Sequence, residues 1–188
     1  MAMKPTLILL DCQLENVENF PDDIAGPVIE KIHRLLIIAR HSGWRVIHSQ
    51  FKPSRNYQFD AHSSGAPILK LKPLAREPVF IRTGMSAYSD PDFARLISPE
   101  TVGPSLLVGF SAPFSILATI FDAAANGHPL SVVPEAVGCP HLGPRSAATV
   151  GDVAFDLVEH LTSTVSWMDV VDDRLGQAIP SSINNMGI

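Results

Sequence analysis

The stretch SLLVGFSAPFSILATIFDAAANGHPLSVVP, residues 105–134, decides the fold. SLLVG (105–109) is a continuous apolar run of strand length. PFSILATIFDAAANG (113–127) then carries apolar residues at helical spacing and stops at Gly127. LSVVP (130–134) is apolar again. A strand, a helix and a strand in this order form a crossover, and a crossover joins parallel strands. Each strand lacks polar alternation, as expected of strands covered on both faces.

The same alternation extends outward in both directions. TLILLD (6–11) is a strand ending in a carboxylate. The polar loop ENVENFPDD follows, then a helix over 24–43 that ends at Gly43. WRVIHS (44–49) and PVFIR (78–82) read as strands, and DPDFARLI (90–97) as a short helix started by Asp90 and Pro91. Beyond residue 134 lie the loop EAVGCPHLGP, a helix from about Arg145 to Leu161 and a last strand near 164–168. This pattern predicts an α/β fold, a three-layer α/β/α arrangement around a six-stranded, mainly parallel sheet of Rossmann-like type. Residues 1–188 read as one domain, with the tail from about 178 loosely held. Residues 51–78 have no strong period and read as a long loop or short helices, a place where function is often carried.

Composition narrows the function classes. Hydrophobic residues make up 46% of the 188 and charged residues 18%, which is globular rather than disordered. The net charge is −5 with no basic stripe, so no nucleic-acid partner is expected. No apolar run reaches membrane-spanning length, and TLILL is too short for a signal peptide. A cytoplasmic location and no membrane partner are the expectation. Cys12 and Cys139 make neither a disulfide framework nor a zinc spacing, and no cofactor is implied.

In open parallel sheets, ligands bind beyond the carboxyl ends of the strands. Three residues stand there. Asp11 ends the first strand, Arg82 ends the third, and Ser115 lies in the first turn of the helix after the fourth. Each has an ordinary reading as well: a strand-end cap, a surface arginine, and a serine satisfying local backbone. No GxSxG elbow surrounds Ser115. His62, in the long loop, is the histidine best placed to face a pocket. Cys12 should point away from Asp11 as a buried apolar residue, and Cys139 lies in a loop that overhangs the strand ends.

Three segments resemble the isochorismatase-like family, the cysteine hydrolases that include nicotinamidases and related amidases. LILLDCQLEN resembles its opening strand, with Asp11 and Gln13 in register. FIRTGMSAYSDPDFARLI resembles its lysine segment, in which a Ser-Ala-aromatic step follows, here Ser86, Ala87 and Tyr88. LLVGFSAPFSILATIFDAAANGHPLSVVPEAV resembles the block that carries the nucleophilic cysteine, with Gly109, Phe110, Thr119, Asp122 and Ala123 in register. In that register Ser115 stands at the cysteine and Arg82 at the lysine, and only Asp11 is retained. A serine hydroxyl is far less acidic than a thiol, and arginine does not shuttle protons. The Asp-x-His metal pattern of the nicotinamidase branch is replaced by SQFKPSRN, with Phe51 and Lys52, so no metal is expected.

The resemblance implies a hydrolase acting on a small amide-, ether- or carboxylate-containing metabolite with a degenerate triad and altered or weak chemistry. Asp11, Arg82 and Ser115 would be catalytic, and Gln13, Tyr88, Phe110, Ser111 and Ala112 would shape the pocket. True isochorismatases lack the cysteine and use the aspartate as an acid, which gives Asp11 a role without a covalent intermediate. The rival reading is an inactive protein of the same fold that binds a small anion near Arg82. A third reading, a serine installed to trap a substrate, leaves the arginine unexplained. Homo-oligomers are common in the family and are expected here.

Overall fold

A computed structural model describes residues 4–18, 20, 22–52, 65–98, 103–128 and 130–172. In chain order the elements are β1 (Thr6–Leu10), α1 (Leu14–Val17), α2 (Asp22–His41), β2 (Arg45–Phe51), β3 (Val79–Arg82), α3 (Pro91–Leu96), β4 (Ser105–Phe110), α4 (Leu117–Ala125), β5 (Leu130–Gly138), α5 (Ala147–Leu161), β6 (Ser163–Thr164) and α6 (Trp167–Val171). The six strands form one sheet in the order β3-β2-β1-β4-β5-β6, and every pairing is parallel.

β1 sits at the centre, and its burial follows from its sequence. All five of its residues are buried. Ile8 and Leu10 face one core, with Ile116 and Ile120 near the start of the helix after β4 and Ala154 and Val158 from α5. Leu7 and Leu9 face the other, against Ile32, Leu35, Leu36 and Ala39 of α2. A strand apolar at every position therefore serves two layers at once. Each buried aliphatic side chain contributes about 1.5–3 kcal/mol.

β1 and β4 approach closely at their carboxyl ends, where Leu10 pairs with Gly109. A Cβ at position 109 would lie 2.0 Å from the Leu10 carbonyl oxygen, and the backbone there has φ +135°. Glycine alone fits.

The sequence reading misses several details. ENVENFPDD contains the short helix α1, and α2 runs two residues ahead of the expected span at both ends. The fifth strand continues through EAVG because a bulge carries Pro134 and Glu135 out of register. Leu107 pairs with Val132, but Gly109 pairs with Val137. The strand expected near 164–168 is corrected to a two-residue β6 followed by α6. The Ser166 hydroxyl accepts the Met168 N–H, and the Glu135 carboxylate accepts the Trp167 N–H, so the chain turns into a helix there. Within 51–78, β2 reaches Phe51 and Leu69–Leu71 forms one 3₁₀ turn. His62 and the tail from 178 lie outside the described residues.

Candidate active site

The carboxyl edge of the sheet brings Asp11, Arg82 and Ser115 together. Asp11 follows β1 with φ 55°, a left-handed conformation that aspartate tolerates better than most residues. Its N–H donates to the Ser49 carbonyl at 2.9 Å, which continues the ladder one step past the strand. Arg82 is the last residue of β3 and pairs in register with Phe51, the last of β2. From there its side chain passes over the end of β2 to β1. Nη2 donates to both Asp11 carboxylate oxygens at 2.9 Å, and the guanidinium lies over the Phe51 ring, 5.4 Å from its centroid.

Ser115 arrives from the other side. After β4, Ser111 takes φ 67° and ψ 60°, and a wide π-helical turn over Ala112–Ile116 leads into α4. That turn places Ser115, 2% exposed, with its hydroxyl beside the Asp11 carboxyl, where it favours the ionised form. Asp11 and Arg82 are equally buried at 2%. Burial pushes the Asp11 carboxyl above the usual carboxylate range. The Arg82 charge, the Ser115 hydroxyl and the Phe51 N–H pull the other way and only partly offset it.

Phe51 is the site residue that sequence reasoning missed. Its N–H donates both to Asp11 Oδ1 at 3.0 Å and to Gln13 Oε1 at 3.1 Å, while its ring supports Arg82. The available signal was its place at the end of the strand beside β3. Gln13 is buried and pinned among backbone groups: its Nε2 donates to the Phe51 carbonyl at 3.3 Å, and Asn16 donates to its Oε1 at 3.3 Å. Gln13 thus holds the end of β2 against Asp11.

The remaining sequence candidates sit elsewhere. Phe110 is fully buried and meets Phe20 edge-on at 5.5 Å, on the α2 face of the sheet. Ala112 is buried in the opposite core, and Ser111 is the half-buried turn residue between them. Tyr88 directs its hydroxyl away from Asp11. It bonds His128 Nδ1 at 2.6 Å, and His128 Nε2 reaches Ser105 Oγ at 3.2 Å, at the amino end of β4. Ala87 is tied to α4 through Thr119 Oγ1, which accepts its N–H at 3.0 Å.

The two thiols are set apart from the three residues. Cys12 is buried on the α2 face, and burial together with the Asp11 charge pushes its thiol well up. Cys139 lines a cavity of about 450 Å³ beyond β5, with Ile24, Val137, Ala147, Gly151 and Phe155, and its thiol is pushed up to about 11 by burial. Among the described residues no group of three or more His, Cys, Asp or Glu side chains is placed to hold a metal ion, and no helix is long and apolar enough to cross a membrane.

The family model for the isochorismatase domain matches residues 5–163. No curated protein matches the chain significantly. Among solved structures, an isochorismatase hydrolase from Oleispira antarctica is 16% identical with a TM-score of 0.78, over 92% of this chain and 98% of that one. A cysteine hydrolase from Pseudomonas syringae pv. phaseolicola is 16% identical with a TM-score of 0.78, over 93% of each. N-carbamoylsarcosine amidase from Thermoplasma acidophilum is 17% identical with a TM-score of 0.68, over 88% of this chain and 97% of that one. At these identities the likeness is one of fold.

Proposed function

Because this chain belongs to the isochorismatase family of hydrolases, we propose that it hydrolyses a small amide-, ether- or carboxylate-containing metabolite at the Asp11 site, with Asp11 as the proton carrier. The observation that carries this reading is the buried convergence of Asp11, Arg82 and Ser115 at the sheet edge. A carboxyl held above its usual range keeps a proton closer to neutral pH, which suits an acid more than a base. Its task is to protonate the leaving group or the carbon of the bond being cleaved while a water molecule adds to the substrate, and the proton released from that water returns to the Asp11 carboxylate.

Arg82 holds no proton to give and acts as a fixed charge that orients Asp11. Ser115 binds the reacting group. A hydroxyl whose only described base is a carboxylate already held by arginine is a poor nucleophile, so no covalent intermediate is invoked. We assign stabilisation of the developing negative charge to the N–H groups around Ser111 and Ala112, on the turn that leads to Ser115.

A second reading, a small-molecule-binding protein without turnover, is favoured by the engagement of both Asp11 oxygens by Arg82. Product release from a panel of small amides, carbamoyl compounds and vinyl ethers separates the two. The hydrolase reading expects turnover by this chain and loss of about 10²–10⁴-fold in Asp11→Asn. Saturable binding of a panel member with no product from either protein would establish the second reading instead.

A further inference from the structure

The outer face of α4 is apolar, although it meets water. Thr119, Ile120 and Ala123 are buried against the sheet. Helical spacing then turns Ala118, Phe121 and Ala125 outward, with Phe114 in line on the π-helical turn before them. Asp122, the one charged residue of α4, is half-buried on the flank toward Tyr88, whose hydroxyl feels its charge. α4 and α5 are successive right-handed crossovers, from β4 to β5 and from β5 to β6, so they lie side by side on one face of the sheet. α5 buries Ala147, Val150, Gly151, Ala154 and Val158, which leaves Val153 and Leu157 on its flank toward α4. Phe114, Phe121, Val153 and Leu157 are 44%, 52%, 59% and 46% exposed. They form one strip with on the order of 400 Å² of apolar surface, a size that marks a contact on a soluble protein.

We propose that this strip is the contact between two copies of the chain, packed α4 against α4 about a two-fold axis. The sequence of the face is complementary to itself. With the helices antiparallel and the axis at the level of Thr119 and Ile120, Phe114 falls opposite Ala125 of the second copy. Ala118 falls opposite Phe121 of the second copy. Each ring therefore meets a small residue, which lets the two helices approach closely, and the same patch serves both copies. The area agrees. A stable dimer buries roughly 800 Å² on each partner, of which about 500 Å² is apolar. The four large side chains, with Ala118, Ala124 and Ala125 beside them, supply a surface of that size. Neither helix carries a lysine or arginine, so the face offers nothing to an anionic lipid surface. Asp152, Asp156 and Glu159 follow on the outer side of α5 as a polar rim. Phe114 directly precedes Ser115, so the contact also clamps the turn that carries the site.

The test is sedimentation velocity of the full chain from about 1 to 100 µM, where the wild type is expected to be a dimer. Phe121→Glu and Ala118→Lys should each weaken association by about thirtyfold or more, with circular dichroism unchanged. An equal mixture of the two variants should regain dimers, because the new ammonium then faces the new carboxylate across the axis while the other half of the contact stays native. A wild-type chain that remains monomeric at the highest concentration overturns the proposal and leaves the strip to a different protein. Dimers that persist in both variants place the contact elsewhere and overturn it as well. A mixture that stays monomeric refutes the antiparallel register. Should either variant fail to fold, Val153→Glu on α5 takes its place. It should also weaken association, and dimers untouched by it count against the proposal in the same way.

Discussion

Arg82 neutralises Asp11 through a single nitrogen, with Nη2 standing 2.9 Å from both Oδ1 and Oδ2 and both side chains buried. This contact couples stability to chemistry, because neither charge can be removed without stranding the other.

Arg82→Ala should therefore cost up to about 3–5 kcal/mol of folding stability, from a buried Asp11 carboxyl left without its partner, and less where that carboxyl takes up a proton. The double variant Asp11→Ala with Arg82→Ala should cost clearly less than the sum of the two singles. Urea unfolding of all four proteins gives the coupling directly. Additive costs would mean that the pair contributes no mutual stabilisation.

Ser115→Cys should create the one thiol that has a proton acceptor, the Asp11 carboxyl, beside it and the Arg82 charge next to that carboxyl, and on that ground rather than on exposure it should be the reactive one. Cys12 and Cys139 are buried with thiols pushed up, so both stay inert near neutral pH. Intact mass after brief iodoacetamide treatment should show a single adduct in the variant and none in the parent. An unlabelled variant would indicate that small electrophiles do not reach position 115.

Stability should fall as the pH is lowered from about 6.5 to about 4, because of His128. Burial holds its pKa down to about 4 from 6.5. The Ser105 hydroxyl donates to the Gly103 carbonyl and so accepts from Nε2, which leaves Nδ1 to accept from Tyr88. The folded state keeps His128 neutral while the unfolded chain takes up a proton, so unfolding gains in this window, by roughly 3 kcal/mol at most. Glu77 adds a second loss further down. Arg40, His48 and the Leu74 N–H hold its carboxyl down at about 2 against the opposing effect of burial, so its contribution is full above about 4.5 and fades toward 2. Urea midpoints at pH 7, 6, 5 and 4 should decline in the parent and decline less steeply in His128→Asn, where His48, whose pKa burial also lowers, keeps part of the slope.

Gly109→Ala should abolish folding rather than merely weaken it, since the added carbon meets backbone 2.0 Å away in the central strand pair. Soluble expression and circular dichroism check this. A folded Gly109→Ala protein would mean that β1 and β4 separate at their ends more easily than their register suggests.

The strands were readable from their apolar runs, and the convergence of Asp11, Arg82 and Ser115 as candidates was readable because each interrupts an apolar pattern at the carboxyl edge of a parallel sheet. What escaped depends on contacts distant in sequence. Nothing local marks Phe51 as a donor to residue 11, or joins half-buried Arg40 to buried His48 and Glu77. The direction of the Tyr88 hydroxyl follows from the 3₁₀ turn Ala87–Ser89 and from His128, forty residues on. The strand expected near 164–168 overlaps α6 only at Trp167 and Met168, and Glu135, whose carboxylate accepts the Trp167 N–H, lies 32 positions earlier, where no local pattern shows it.

Asp11 and Ser111 are the only non-glycine residues with positive φ among those described, and each comes directly after one of two neighbouring strands. The main chain therefore sets the spacing between the carboxylate and the helix start, whatever side chains stand at 82 and 115. Such a mount behaves as an exchangeable socket. A lineage can swap thiol for hydroxyl, or ammonium for guanidinium, and try new reactions without first redesigning the frame.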